Sequence, residues 1–128
     1  MGVAEQNLVT VASGMAAMGK IPFCSSYAMF SQGRNWEQIR TTICYNDRKV
    51  VIVGSHAGVS VGPDGGTHQA IDDLAIMRVL PNMVVVSPDK GGRAAQPACA
   101  LHAGRWGAAI TRTYVHQTGV CVALLRLK

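Results

Sequence analysis

Polar side chains that could act on a substrate are concentrated in one glycine-rich stretch of the sequence. The stretch contains His56, Asp64 and His68, with glycines at positions 54, 58, 62, 65 and 66. Because glycine permits close backbone turns, we expect the three side chains to approach a single opening. A histidine can donate a hydrogen bond to a developing oxyanion and can shuttle protons. A lone histidine is more often structural than functional, so the interpretation as a site depends on the group.

Glu5, Tyr27 and Phe30 are further candidates, and each has a plain structural alternative. Glu5 falls in the first turn of a predicted helix, where the helix dipole stabilises an acid that has no catalytic role. Tyr27 and Phe30 follow a predicted strand by a few residues, where aromatic residues either pack in the core or receive a flat ligand. Cys24 and Cys44 are interpreted as buried apolar residues.

An alternation of helices and strands must position these residues. Apolar periodicity predicts helices at 4–18, 33–43 and 67–78, and strands at 21–26, 49–54, 82–87 and 119–125. This order indicates a parallel α/β sheet with right-handed crossovers, in which ligands bind at the carboxyl ends of the strands. The loops at 26–34 and 54–67 therefore fall on the predicted functional edge. Residues 91–117 sustain no helical or strand period.

The first and third helices are expected to be buried differently. Residues 4–18 are apolar almost all round, so this helix is predicted to be buried on most sides and to end at Gly19. The third helix is predicted to be capped by Thr67 and to be broken by Pro81. Its periodic stripe comprises Ile71, Leu74, Ala75 and Arg78.

Length and composition indicate one globular domain. The chain has 128 residues, of which 48% are apolar and 15% are charged, and such a chain can bury a core. No apolar run is long enough to span a bilayer, and the first residues lack a signal-peptide pattern. The four cysteines lie far apart without a CxxC pair, so we expect reduced thiols, a cytoplasmic location and no cysteine-bound metal.

The net charge of +5 comes from the carboxyl-terminal part of the chain. Residues 1–89 hold seven acids and six bases, whereas 90–128 hold six bases and no acid. These bases are scattered among alanine and glycine rather than clustered. Binding to nucleic acid or to a membrane surface is therefore not expected.

Four blocks of the sequence resemble the pyrimidine-binding domain of transketolases, in that family's order and spacing. They are GVAEQN at 2–7, PFCSSYAMF at 22–30 leading into GRNWEQIR at 33–40, GSHAGVSVGPDGGTHQAIDDLAIMR at 54–78, and LPNMVVVSPD at 80–89. The blocks look closest to the C-terminal chain of split bacterial and archaeal transketolases. The resemblance implies a three-layer α/β sandwich around a mostly parallel sheet, the thiamin diphosphate-binding fold. It also implies part of an enzyme that transfers a two-carbon ketol unit between sugar phosphates.

The resemblance implies which residues bind thiamine diphosphate. In this family the aminopyrimidine ring of the cofactor acts as a base on its own thiazolium carbon. A carboxyl group hydrogen-bonded to a ring nitrogen favours the tautomer that does so. The glutamate of the AEQN motif has this catalytic role and corresponds to Glu5, while Tyr27 and Phe30 match the two main aromatic positions that receive the ring.

Substrate residues are implied in the glycine-rich stretch and near the end of the chain. By resemblance, His56 lies near the sugar-phosphate path, and Asp64 and His68 take catalytic positions that contact oxygens near the reacting carbon. Arg126 aligns with an arginine that binds the substrate phosphate, a role that suits a guanidinium. Pro63 departs from the family, which usually has an acid at this position.

Several parts of the family's enzymes have no counterpart in the sequence. Residues 1–128 correspond to one domain without its first strand and helix, 91–117 is an atypical segment, and no GDG…N motif for Mg²⁺ is found. A partner domain or chain is therefore expected to hold the diphosphate and Mg²⁺, and no metal ligand is assigned in this chain. The chain alone is expected to be inactive and to self-associate as a homo-oligomer.

Other functions stay open on the sequence alone. An enzyme like 1-deoxyxylulose-5-phosphate synthase is one, although its usual AEQH motif differs at Asn7. A split transketolase for another sugar phosphate is a second. A non-catalytic truncated remnant or binding module is a third, and a short reading-frame slip would account for the composition of 91–117.

Overall fold

The domain is built on a four-stranded parallel sheet with the strand order β1-β2-β4-β3. A computed structural model describes residues 1–59 and 61–87 and the backbone of 108–112. The strands are β1 (Phe23–Tyr27), β2 (Val51–Ser55), β3 (Met83–Val86) and β4 (Ala108–Arg112). The helices are α1 (Glu5–Ala17), α2 (Ala28–Gly33), α3 (Trp36–Gln38), a π-helical turn (Ile39–Cys44), a 3₁₀ turn (Gly65–His68) and α4 (Asp73–Arg78). The predicted parallel α/β sandwich is confirmed.

The larger apolar cluster among the described residues packs α1, the π-helical turn and α4 against the sheet. Its members are fully or almost fully buried side chains from α1, the π-helical turn, α4 and three strands, including Val9, Ile39, Ile43, Ile52 and Met77. The indole nitrogen of Trp36 donates a 2.7 Å hydrogen bond to the carbonyl of Ile76, which joins α3 to α4. Among the described residues, no helix has the length and hydropathy needed to cross a membrane.

Helix α1 ends where predicted but is less buried than its composition suggests. Gly19 has φ +79°, and its N–H donates to the carbonyl of Ala16, so it ends the helix as a C-terminal glycine does. Only one face of α1 packs on the π-helical turn and β1. The expectation of burial on most sides is wrong for this chain, because no described element covers the outer face. That face exposes an apolar stripe at helical spacing, comprising Val11, Met15 and Met18.

The segment after β1 is helical, not the loop expected at 26–34. Helix α2 begins directly after Tyr27, and its buried residues include Ala28 and Gln32. Gly54 of β2 makes this close packing possible, because a Cβ atom at that position would collide with Gln32 Nε2 and lie 3.1 Å from the Ala28 Cβ. Burial against a glycine, which has no periodic signature, is why the sequence pattern did not reveal this helix.

Helix α4 begins later than predicted and buries a different face. Thr67 lies in the 3₁₀ turn and does not cap α4, which begins at Asp73. Ala70 is held in an isolated antiparallel bridge to Gly58, and this extended backbone separates the 3₁₀ turn from the helix. The buried residues of α4 are Asp73 and Met77, whereas Ile71 is 78% exposed. The predicted stripe through Ile71, Leu74, Ala75 and Arg78 is therefore wrong as a core face.

Strand β4 lies within 91–117, the segment whose sequence sustains no helical or strand period. Its backbone pairs in parallel with β2 on one side and β3 on the other. A central strand gains its ladder from two neighbours, so sheet context outweighs the weak pattern of its alanine-rich sequence. The predicted strand at 119–125 lies outside the described residues.

Candidate active site

The candidate site lies at the carboxyl ends of β1 and β2, which are neighbouring strands. Tyr27 is the last residue of β1 and stands in register with Ser55, the last residue of β2. The glycine-rich loop that begins at His56 therefore starts beside Tyr27. This is the edge at which parallel α/β sheets bind their ligands, as the sequence predicted.

Aromatic and imidazole rings gather at this edge. The ring centroid of Tyr27 lies 4.5 Å from that of His56 and 5.6 Å from that of His68. Phe30 lies 5.1 Å from His68 and 6.4 Å from Tyr27, and it meets both rings edge to face. The Tyr27 hydroxyl donates a 3.3 Å hydrogen bond to a carboxylate oxygen of Asp64. The structure thus brings together these five predicted residues, which come from two segments of the chain, 27–30 and 56–68.

His56 has a backbone conformation that non-glycine residues rarely adopt. Its φ is +54°, in the left-handed region, where steric contact of Cβ costs about 1–2 kcal/mol. Its Nδ1 atom is buried and has no hydrogen-bond partner among the described residues. Strained residues with unpartnered polar atoms concentrate at functional sites, so both features agree with a binding role.

His68 is oriented by its neighbour in the 3₁₀ turn. The Thr67 hydroxyl lies 2.9 Å from His68 Nδ1 and donates a 3.4 Å hydrogen bond to the Asp64 carbonyl. The donor and acceptor in the shorter contact are set by the tautomer of the ring. In either tautomer this contact engages Nδ1 rather than Nε2.

Glu5 is held at the start of α1 by contacts with the segment after α2. A carboxylate oxygen of Glu5 lies 3.3 Å from Arg34 Nη1, and the Glu5 side chain is 12% exposed. The fully buried Asn35 donates a 3.1 Å hydrogen bond to the Glu5 carbonyl. Gln6 donates a 3.4 Å hydrogen bond to the Arg34 carbonyl. None of the described contacts joins Glu5 to the cluster formed by Tyr27, Phe30, His56, Asp64 and His68.

Arg34 and Asn35 were not singled out in the sequence as site residues. Both belong to the GRNWEQIR block, which carries part of the family resemblance without a role assigned to either residue. Their contact with Glu5 spans about 30 positions of the chain, so it depends on tertiary structure and has no local pattern. Arg126, the predicted phosphate residue, lies outside the described residues.

The two described cysteines are structural and do not contribute to the site. Cys24 and Cys44 are free and buried in the core. Burial raises the pKa of the Cys24 thiol to about 11 and that of the Cys44 thiol to about 12. Thiols with such pKa values are protonated near neutral pH and react poorly as nucleophiles.

The aromatic group fits a flat heteroaromatic ring, and the described residues offer no metal site. Tyr27 and Phe30 are half-buried rings at 75° to one another, which suits contact with both the face and the edge of a planar ligand. In the described parts of the chain, no group of three or more His, Cys, Asp or Glu side chains could hold a metal ion. The fold and site together define a parallel α/β domain with a cluster of aromatic and imidazole rings at the carboxyl ends of two strands.

Comparison with known proteins places this domain in a family. The family model described as the transketolase pyrimidine-binding domain matches residues 1–101, and the chain belongs to that family. A putative transketolase C-terminal section from Methanocaldococcus jannaschii is 54% identical over 87 residues, which cover 68% of this chain and 28% of that protein. The match to the family includes residues 91–101, the first part of the segment that was expected to be atypical.

A solved structure and a second enzyme class complete the comparison. The structure described as a split gene transketolase, an inactive beta4 tetramer, superimposes with a TM-score of 0.69 at 43% identity, covering 93% of this chain and 36% of that one. A 1-deoxy-D-xylulose-5-phosphate synthase from Thermomicrobium roseum is 42% identical over 88 residues, 69% of this chain and 14% of that protein. Transketolase is the better supported of the two classes. The chain spans about a third or less of the length of these proteins.

Proposed function

We propose that this chain supplies the aminopyrimidine-binding half of a thiamine diphosphate site in a transketolase assembled from more than one domain or chain. The observation that carries the proposal is the convergence of Tyr27, Phe30, His56, Asp64 and His68 at the ends of β1 and β2. The family membership supports dependence on thiamine diphosphate. The proposal also assigns a role to each of the individual residues.

The proposed division of labour follows from the chemistry of each side chain. When bound, thiamine diphosphate supplies a carbon nucleophile and an electron sink for cleavage of a ketose. Tyr27 and Phe30 hold the flat ring by stacking and edge contacts. Glu5 is proposed to hydrogen-bond a ring nitrogen, and its 12% exposure limits competition from water for this bond.

The loop residues are proposed to act on the sugar phosphate. His68 offers Nε2 to an oxygen of the substrate near the reacting carbon, and Asp64 accepts hydrogen bonds from its hydroxyl groups. The buried, unpartnered Nδ1 of His56 is suited to a polar group that enters along the substrate path. Arg126 is proposed to bind the phosphate, as the resemblance implies.

A partner is part of this proposal because the chain matches a pyrimidine-binding domain and resembles a split gene transketolase. A diphosphate-binding domain or chain is proposed to bind the diphosphate and Mg²⁺. The exposed stripe of Val11, Met15 and Met18 lies on α1, the helix that begins with Glu5. Apolar stripes of this kind mark protein contacts, so the stripe is proposed to face the partner and to drive self-association in isolation.

The test is ketol transfer by a complex assembled from purified chains. This chain is mixed with the diphosphate-domain chain encoded in the same genome, together with thiamine diphosphate, Mg²⁺ and fructose 6-phosphate as the ketose donor. We expect turnover by the complex and none by this chain alone. Turnover without the partner would refute the proposed division. A stoichiometric complex that binds the cofactor but is inactive with fructose 6-phosphate and with a panel of other ketose phosphates would refute the transketolase assignment.

Substitutions in the loop separate substrate contacts from cofactor contacts. We expect His68→Ala and Asp64→Ala to lower kcat and kcat/KM far more than they lower the affinity for thiamine diphosphate, because both residues act near the reacting carbon. Cofactor affinity is measured by titration of the same complexes. A loss of affinity equal to the loss of activity would place these residues on the cofactor instead.

A further inference from the structure

Tyr27 contacts the glycine-rich loop at its beginning, its middle and its end. Its ring lies against those of His56 and His68, at opposite ends of the loop. Its hydroxyl donates to Asp64, which lies between them in the chain. Tyr27, at the end of β1, therefore connects three points of the loop at 56–68 to the sheet.

The backbone contacts of the loop do not fix the Asp64 carboxylate, because they join Gly58 to Ala70 and Gly65 to Gly62. Asp64 is exposed, and glycines with positive φ lie on both sides of it, at 62 and 65. Glycine has the largest backbone freedom of any residue, so an ordered Asp64 carboxylate depends on contacts from elsewhere. The hydroxyl of Tyr27 is the side-chain group that makes this contact among the described residues.

The hydroxyl is not required for stacking. Phe30 lies in the same group, at 5.1 Å from His68, without any polar atom on its ring. A phenylalanine at 27 would keep the ring contacts with His56 and His68 and would lose only the bond to Asp64. The phenol oxygen therefore has a role distinct from that of the ring.

We infer that Tyr27 is a positioning residue whose hydroxyl holds the Asp64 carboxylate in place for the hydroxyl groups of a sugar substrate. This inference rests on the proposed function, in which Asp64 contacts substrate. It assigns two roles to one side chain: the ring contributes to the cofactor pocket, and the hydroxyl orders the substrate loop. Tyr27 therefore couples substrate recognition by Asp64 to the cofactor pocket.

The first test uses the full chain without cofactor or partner. Amide hydrogen exchange across 56–68 is compared between wild type, Tyr27→Phe and the control Tyr45→Phe, since Tyr45 is 85% exposed. We expect faster exchange in Tyr27→Phe, confined to this loop, and no change in the control. Unchanged exchange in Tyr27→Phe would show that the hydroxyl does not order the loop and would overturn the inference.

The second test is kinetic and uses the complex with the diphosphate-domain chain. Loss of one hydrogen bond to a carboxylate at an exposed position is expected to lower kcat/KM for fructose 6-phosphate about fivefold, through kcat as in Asp64→Ala but to a smaller extent. The affinity for thiamine diphosphate should stay that of wild type, because the stacking ring is retained. In an Asp64→Ala background, Tyr27→Phe should have no further effect, because the two groups act as one unit.

The outcomes distinguish a failure of the positioning role of Tyr27 from a failure of the proposed function. If Asp64→Ala leaves KM and kcat unchanged, the substrate role of Asp64 in the proposed function is wrong. If Asp64→Ala is impaired while Tyr27→Phe equals wild type, the proposed function stands and the positioning role of Tyr27 is wrong. Additive effects of the two substitutions would likewise contradict positioning through Asp64.

Discussion

Replacing Gly54 with alanine tests the packing that brings α2 against β2 beneath the candidate site. An added Cβ would collide with Gln32 Nε2 and would lie 3.1 Å from the Ala28 Cβ, closer than ordinary contact. Gln32 is 1% exposed, so its side chain cannot simply move into solvent. Overpacking of a buried position typically costs about 1–3 kcal/mol, and we expect the free energy of unfolding to fall by that amount.

Gly14 provides a matched control for the same substitution. It lies inside α1, and a Cβ atom there would meet nothing within 4 Å. Alanine is favoured over glycine in a helix interior, so Gly14→Ala should stabilise the chain by about 0.5–1 kcal/mol. Opposite signs for the two variants would separate the effect of the collision from that of backbone entropy.

The assay is urea unfolding followed by circular dichroism, with a second substitution to confirm the cause. Truncating Gln32 to alanine removes the atoms that collide, so the double variant should lose less stability than the sum of the single variants, by about 1–2 kcal/mol. If Gly54→Ala equals wild type in stability, or if the two substitutions are additive, the described packing of α2 on β2 is wrong.

Three further predictions concern strain, thiols and the ion pair. Asparagine tolerates the left-handed region better than histidine, so His56→Asn should keep or raise the urea midpoint while kcat/KM for the ketose donor falls. A lower midpoint would contradict the claim that the backbone at position 56 is strained. Burial raises the pKa of Cys24 from 9.0 to about 11 and that of Cys44 to about 12. The free energy of unfolding should therefore be constant below pH 9 and fall above it as the pH rises through 11 and 12. Urea midpoints measured from pH 8 to 11 should show less of this fall when both cysteines are replaced by alanine. Arg34 is 52% exposed, so Arg34→Gln should change the free energy of unfolding by less than about 1 kcal/mol in the same assay, and a larger loss would show that the pair with Glu5 is a main anchor of α1.

Elements with strong local signals were predictable from the sequence. The β-branched run around Val51 and the strand at Met83–Val86 were identified from composition, and Gly19 was identified as the end of α1. The parallel fold followed from the alternation of such elements. Each of these features depends on residues close together in the chain, and the periodicity of side chains reports them directly.

Features that depend on contacts between distant segments were missed. Helix α2 forms because Ala28 and Gln32 pack against Gly54, and α4 begins late because Ala70 bridges to Gly58. Similarly, the exposed apolar stripe of α1 was predicted to be buried, because apolar composition does not show whether a neighbouring element covers it. Local patterns do not specify which surface a segment meets.

The candidate site was predicted in part, by a combination of residue type and resemblance. The glycine spacing predicted that His56, Asp64 and His68 would approach one opening, and the structure places them around Tyr27. The bond from the Tyr27 hydroxyl to Asp64 was not predicted. It spans 37 positions and depends on the path of the loop, which its glycines leave free in the sequence.

The most direct test of the central claim is the rate at which the thiazolium C2 proton of bound thiamine diphosphate exchanges with deuterium. The complex of this chain with the diphosphate-domain chain is compared with the same complex carrying Glu5→Gln or the control Glu37→Gln, which alters an exposed acid. Glutamine keeps the shape of Glu5 but cannot share the proton, so exchange should slow by about 100-fold or more, while the control exchanges as wild type. Exchange at the wild-type rate in the Glu5→Gln complex, with cofactor bound, would contradict the role of this chain as the activating half of the site.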